Sequence, residues 1–167
     1  MKKLLNLIAL LSFALIVSCT GNDEKKEGSF VIKGKSETNS TTNNKNQNIL
    51  ASKTIDLKNK GIGPITSLKL EPEIDHNMVT HGAKLYKNKC TTCHRPDKKF
   101  IGPASAGIMN RRTPEWIMNK MLNPLEMIQK DHLTKELVKE FNYAIMPDQS
   151  LDEHEARAVL EYFRTLN

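Results

Sequence analysis

Cys90-Thr91-Thr92-Cys93-His94 is the stretch on which the fold turns. Two thiols at this spacing reach the two vinyl groups of one haem and add across them. The histidine directly after them falls under the iron as an axial ligand. Three other readings compete. A redox C-x-x-C belongs in a βαβ context, and the flanks show none. A zinc site needs two further ligands at matching spacing, and there is no second cysteine pair, although histidines are scattered along the chain. The third is chance, since the motif fixes only three letters. Cys19 is the one other cysteine in the chain, so the motif uses every thiol that remains. The expectation is one covalent haem c, held by Cys90 and Cys93, with His94 on the iron.

A second iron ligand has to come from downstream. Methionine on the far side of a haem raises its reduction potential. Met109, Met118, Met121, Met127 and Met146 are available. Met118 and Met121 lie three apart in a helical pattern, where methionine usually fills core. Met146 stands in Ala144-Ile145-Met146-Pro147, where proline restrains the residue before it. Met146 is therefore the expected ligand, with His132 or His154 as a bis-histidine alternative. His76 and His81 precede the motif and read as surface residues.

Outward from the motif the pattern is helical. Asn77 or Thr80 is a candidate cap for a helix running to about Lys89, with Val79, Gly82, Leu85 and Tyr86 at helical spacing. Thr113-Pro114-Glu115 is a helix start. That helix carries Trp116, Ile117, Met121 and Leu122 and stops near Asn123-Pro124. Leu137, Val138 and Phe141 mark another between about Thr134 and Tyr143. Asp152-Glu153 opens the last, with Ala156, Val159, Leu160, Phe163 and Leu166 on its apolar side. Residues 78–167 carry no convincing strand. The expected class is all-α, a small helical domain.

Residues 78–167 resemble class I monohaem cytochrome c domains. Gly82-Ala83-Lys84-Leu85-Tyr86 looks like the family's first helix, Cys90 to His94 follow at once, and Gly102-Pro103 stands where the family often has a proline beside the proximal histidine. Met146-Pro147 then precedes Leu160-Glu161-Tyr162-Phe163, similar to the last helix. The resemblance implies that first and last helices cross at Gly82, with Tyr86 and Tyr162 packed beside it. It departs from the family between Gly107 and Tyr143, which is longer than in a minimal cytochrome. The whole chain also resembles lipoprotein cytochromes of flavobacteria-like bacteria, some encoded beside nitrous-oxide reductase genes.

The N-terminal part differs from the rest. Met1-Lys2-Lys3 and the apolar run to Val17 read as an export signal, too short for a confident spanning helix. Ile16-Val17-Ser18-Cys19 resembles a bacterial lipobox, which implies a signal peptide over 1–18 and a lipidated Cys19. Thr20, where an Asp would retain the protein at the inner membrane, implies an outer-membrane anchor with the domain facing the periplasm. Residues 20–48 are almost all polar and read as a disordered tether reaching about 30 Å r.m.s. if it is a flexible coil. Residues 49–77, with Ile62, Ile65, Leu68 and Leu70 among Gly61, Gly63, Pro64 and Pro72, read as an extended strap packed on the domain.

A length of 167 residues allows one ordinary domain with appendages. A mean hydropathy of −0.49 excludes a polytopic membrane protein. The formal charge of +6 is not a nucleic-acid signature. Removal of the signal takes Lys2 and Lys3, leaving 23 basic against 19 acidic residues. An aromatic content of 5% is low for a packed domain, and a buried haem would supply the missing core. No acid–base dyad, Ser-His-Asp set or phosphate loop is evident, so no separate catalytic constellation is expected. The expected function is one-electron transfer by a monomer in a periplasmic respiratory chain, nitrous-oxide reductase being one possible recipient. Lys84, Lys87, Lys89, Arg95, Lys98 and Lys99 form a basic patch suited to acidic redox partners, or simply a solvated face. Arg111 and Arg112 are candidates to pair with haem propionates. The alternative function is a pentacoordinate or bis-histidine haem protein, acting as a gas or redox sensor or a peroxidase-like enzyme.

Overall fold

The structure is a computed structural model and describes residues 49–166. The expected signal peptide, Cys19 and the tether lie outside the described residues. Among the described residues five α-helices follow one another: α1 His76–Leu85, α2 Pro114–Leu122, α3 Pro124–Lys130, α4 His132–Glu140 and α5 Glu153–Phe163. No strand occurs among the described residues, only an isolated bridge between Asp56 and Arg112. The all-α expectation holds.

The element ends are set by side chains that a periodicity reading ranks poorly. Asp75, not Asn77 or Thr80, caps α1, its carboxylate accepting from the N–H groups of Asn77 and Met78. The α-helix stops at Leu85 rather than Lys89 and widens into a π-turn over Tyr86–Cys90, closed by the Thr91 N–H on the Tyr86 carbonyl at 3.2 Å. The extra residue turns Cys90 off the register that α1 would give it. Asn123 ends α2 as expected, but Pro124 at once begins α3, because proline needs no N–H partner at a first helical position. Asp131 starts α4 at His132, earlier than the apolar pattern suggests, by accepting from both the N–H and the hydroxyl of Thr134.

α1 and α5 cross at Gly82. A Cβ there would overlap the Ala158 carbonyl, so only glycine lets the two backbones meet. Tyr86 packs one turn further on, its ring 5.4 Å from Tyr162 and 5.7 Å edge-on to Phe163. This is the crossing that the family resemblance implies. α5 opens with a reciprocal capping box between Asp152 and Glu155. It buries Ala156, Val159, Leu160 and Phe163 against α1 and α2. Glu161 is fully buried on the same helix, held by Arg157, Arg164 and the Asp75 N–H. That set of donors satisfies a carboxylate that burial would otherwise neutralise.

The segment before α1 has no regular secondary structure and is fastened by polar side chains. Asn119 of α2 accepts from the Ile65 N–H at 2.9 Å and donates to the carbonyls of Lys60 and Ile65. Glu140 of α4 takes the Ser52 N–H and hydroxyl. Arg112 donates to the carbonyls of Ala51 and Thr54. Residues 51–65 are thereby held against α2 and the end of α4.

Candidate haem site

The π-turn that ends α1 delivers Cys90 and, four residues on, His94, while the His94 N–H closes back on the Cys90 carbonyl at 2.9 Å. Neither Cys90 nor Cys93 is in a disulfide. Both thiols and the His94 ring line one largely apolar cavity. Burial pushes the Cys90 thiol up to about 11, which keeps it neutral before a haem is attached. Burial also holds the His94 imidazolium below its ordinary range, against the opposing pull of the Pro103 carbonyl.

His94 is oriented from behind. Its Nδ1 lies 2.9 Å from the Pro103 carbonyl oxygen. A carbonyl only accepts, so Nδ1 carries the proton and Nε2 keeps its lone pair for a metal. Gly102 lies against the ring face, where a Cβ would overlap Cε1 and crowd both ring nitrogens. The Gly102 N–H returns to the Cys93 carbonyl at 2.8 Å, and the Phe100 N–H bonds the Gly102 carbonyl. Arg95 closes the same turn, donating to the carbonyls of Thr91 and His94 and lying 4.2 Å over the Phe100 ring.

Met146 lines the same cavity, although it stands 52 positions after His94. The segment that carries it is joined to the motif by Lys89, whose ammonium donates to the Gln149 carbonyl at 2.9 Å. The other candidate ligands separate. Met118 and Met127 are core, and Met109 packs against the core away from the cavity. His132 is exposed and lines a different hollow, beside residues 49–59. His154 is exposed with its ring against His81. Met121, which the sequence reads as filler, is buried in α2 and also lines the cavity.

The cytochrome c family profile matches residues 79–167. The chain belongs to the cytochrome c family. It is also similar to a solved cytochrome c from Rhodothermus marinus, at 42% identity over 70% of this chain and 93% of that one, with a TM-score of 0.61. An engineered form of that protein bound to a carbene intermediate matches at 42% identity, covering 70% and 94%, with a TM-score of 0.58. No curated protein sequence matches. Membership carries the cofactor and the coarse role: one covalently bound haem c and electron carriage.

The residues around the cavity of this cytochrome fit that group. A haem brings two carboxylates as well as an apolar ring. Arg111, Arg112 and Lys120 all line the cavity. Arg112 is 3% exposed, and its Nε is the only buried side-chain nitrogen or oxygen without a partner among the described residues. Its terminal nitrogens are committed to the carbonyls of Ala51, Thr54 and Arg111, so an acceptor is missing only at Nε. Burial pushes the Lys120 ammonium down to about 8, only partly opposed by Asp131. A carboxylate beside it would reverse that shift.

The sequence proposed Arg111 and Arg112 for this role but missed Lys120. The signal was present: Lys120 follows Trp116 by four, which puts both on one face of α2. Of the proposed basic patch, Lys84, Lys87, Lys98 and Lys99 are exposed. Lys89 instead ties the motif to the Met146 segment, and Arg95 closes the motif's own turn.

Proposed function

We propose that the chain carries single electrons through a haem whose iron takes His94 on one side and Met146 on the other, with Cys90 and Cys93 in thioether linkage. The observation that supports this most directly is that a Cys-x-x-Cys-His motif and a remote methionine line one apolar cavity. The haem supplies a one-electron couple when bound. The chain's own residues do the rest. The Pro103 carbonyl fixes the tautomer of His94, and the apolar walls exclude water. Arg111, Arg112 and Lys120 offset the charge of the propionates. With both axial positions taken, no site is left for a substrate. The exposed positions of His132 and His154, outside the cavity lining, support methionine over the bis-histidine alternative.

The partners in this reading are redox proteins with acidic docking faces. The exposed Lys98 and Lys99 stand in the same turn as the half-exposed Ile101, which lines the cavity mouth. A charged rim around an apolar centre suits rapid, short-lived encounters. The same reading puts a lipid anchor on Cys19 at the outer membrane, with the domain in the periplasm and the tether setting its range, and rests on the lipobox-like sequence alone. Nitrous-oxide reductase is proposed as one electron acceptor, on the resemblance to lipoprotein cytochromes encoded beside its genes.

The test is an absorption spectrum of protein matured with haem-attachment machinery, oxidised and then reduced. Sharp low-spin bands on reduction, with a weak red methionine-to-iron band when oxidised, are expected. Low-spin bands without the red band, unchanged in Met146→Ala, overturn the assignment of Met146. A high-spin spectrum that shifts with CO favours the sensor or enzyme reading instead.

A further inference from the structure

We propose that His81 and His154 form a surface site for a single divalent transition-metal ion, separate from the haem cavity and bridging α1 to α5. Their ring centres lie 5.9 Å apart with planes inclined at 39°, and both residues are exposed. Two imidazoles at adjacent positions of one ion, with nitrogen–metal distances of about 2.0–2.1 Å, hold their ring centres about 4.5 Å apart in a tetragonal site and about 5 Å apart in a tetrahedral one. A small side-chain rotation closes that difference.

The placement is built into the fold. His81 directly precedes Gly82, and His154 is one turn before Ala158, the two positions at which the helix backbones meet. The main chain on either side of the pair therefore cannot drift, and little ordering is left for the metal to impose. The local charge also suits a cation. Asp152 caps α5, and Glu153 and Glu155 fill its first turn, which offsets the positive end of the helix. Of the nearby cations, Arg157 is engaged by Glu161 at 2.5 Å and Lys84 is exposed on the following turn of α1.

No third His, Cys, Asp or Glu joins the pair among the described residues. Water completes the coordination, and the site is open to exchange. Two imidazoles with open positions favour copper(II) over nickel(II) and zinc(II). Ion binding joins the first and last helices, which stabilises the folded domain by mass action.

The test uses the full chain with its motif thiols in thioether linkage, titrated with copper(II) by equilibrium dialysis and electron paramagnetic resonance. One copper per chain is expected, with hyperfine structure from two imidazole nitrogens. His81→Gln and His154→Gln should each weaken binding at least tenfold. His76→Gln and His132→Gln, at the other exposed histidines, should leave it within twofold. Both site substitutions are at exposed positions, and an unchanged haem spectrum verifies that the fold is intact. Equal binding by the double variant overturns the proposal, as do a signal from one imidazole or loss in a control variant.

Discussion

His94 and Met146 line the same cavity on two differently built pieces of chain. The turn from Cys90 to Pro103 is closed repeatedly on itself: His94 N–H to Cys90, Gly102 N–H to Cys93, Phe100 N–H to Gly102, and the His94 ring to Pro103. Residues 145–151 make no backbone-to-backbone hydrogen bond. They follow two left-handed residues, Asn142 at φ 54° and Tyr143 at φ 60°, and Ser150 at φ 49° lies near their end. Such conformations cost of order 1 kcal/mol each and persist where surrounding contacts hold them. Met146 is held by packing and by the Lys89 tie to Gln149, while Ile145 beside it is 60% exposed. His94 is fixed by main chain, whereas Met146 is held by side-chain packing and one lysine tie. Local opening should therefore release Met146 well before His94.

The largest effect that would break this comparison is at the motif itself. Cys90→Ala with Cys93→Ala should abolish covalent haem, read as loss of haem stain on a denaturing gel. Retained stain would remove the basis for placing the haem here. Next is Gly102→Ala, whose Cβ would meet the His94 ring. The stitched turn has no slack, so the domain should lose about 2 kcal/mol, within the range for overpacking. Chemical denaturation of the haem-loaded protein measures it. A near-neutral result would show that the turn is softer than its hydrogen bonds suggest.

Met146→Ala is the matching change on the other side. The fold and the covalent haem should survive, because no element packs on the segment through main-chain bonds. The ferrous protein should become high-spin and bind CO. Should the low-spin spectrum persist, Met121→Ala added to it distinguishes rescue by the second cavity methionine, which lies in α2 and is only 5% exposed.

The difference between the two regions also explains what the sequence could reveal. The His94 side was legible because its information is local: three motif letters, then Gly102-Pro103 eight residues on. Cap-defined ends were less so. Asp75 and Asp131 took helix starts that apolar spacing assigned a few residues later, since a cap acts before periodicity begins. α3 was missed because seven residues are too few to show a period. Met121 could not be separated from core filler, because burial and cavity lining ask for the same residue type. Arg112 was named, but its burial depends on carbonyls at Ala51 and Thr54, about 60 positions away.

Lys120 offers the smallest effect and the finest comparison, since it is a charge on α2 that neither of the two segments supplies. A cation near the iron disfavours the ferric state, which carries the extra positive charge. Lys120→Gln should therefore lower the reduction potential, by ~1 kcal/mol or about 40 mV for a one-electron couple at an effective dielectric near 20. The sign of the pH dependence follows. Burial holds this ammonium at about 8 before any propionate acts on it, and a propionate moves it upward. The lysine is charged below that pKa and neutral above it, so the potential of the parent protein should fall as pH rises through a window at or above 8. The glutamine variant should lack that step and lie low throughout. Protein-film voltammetry across pH 6 to 11 reads both. A parent protein that is flat with pH yet drops on substitution would mean that the propionate keeps Lys120 charged throughout. A step that survives in the variant would assign the proton to another group and leave Lys120 a spectator of the cavity.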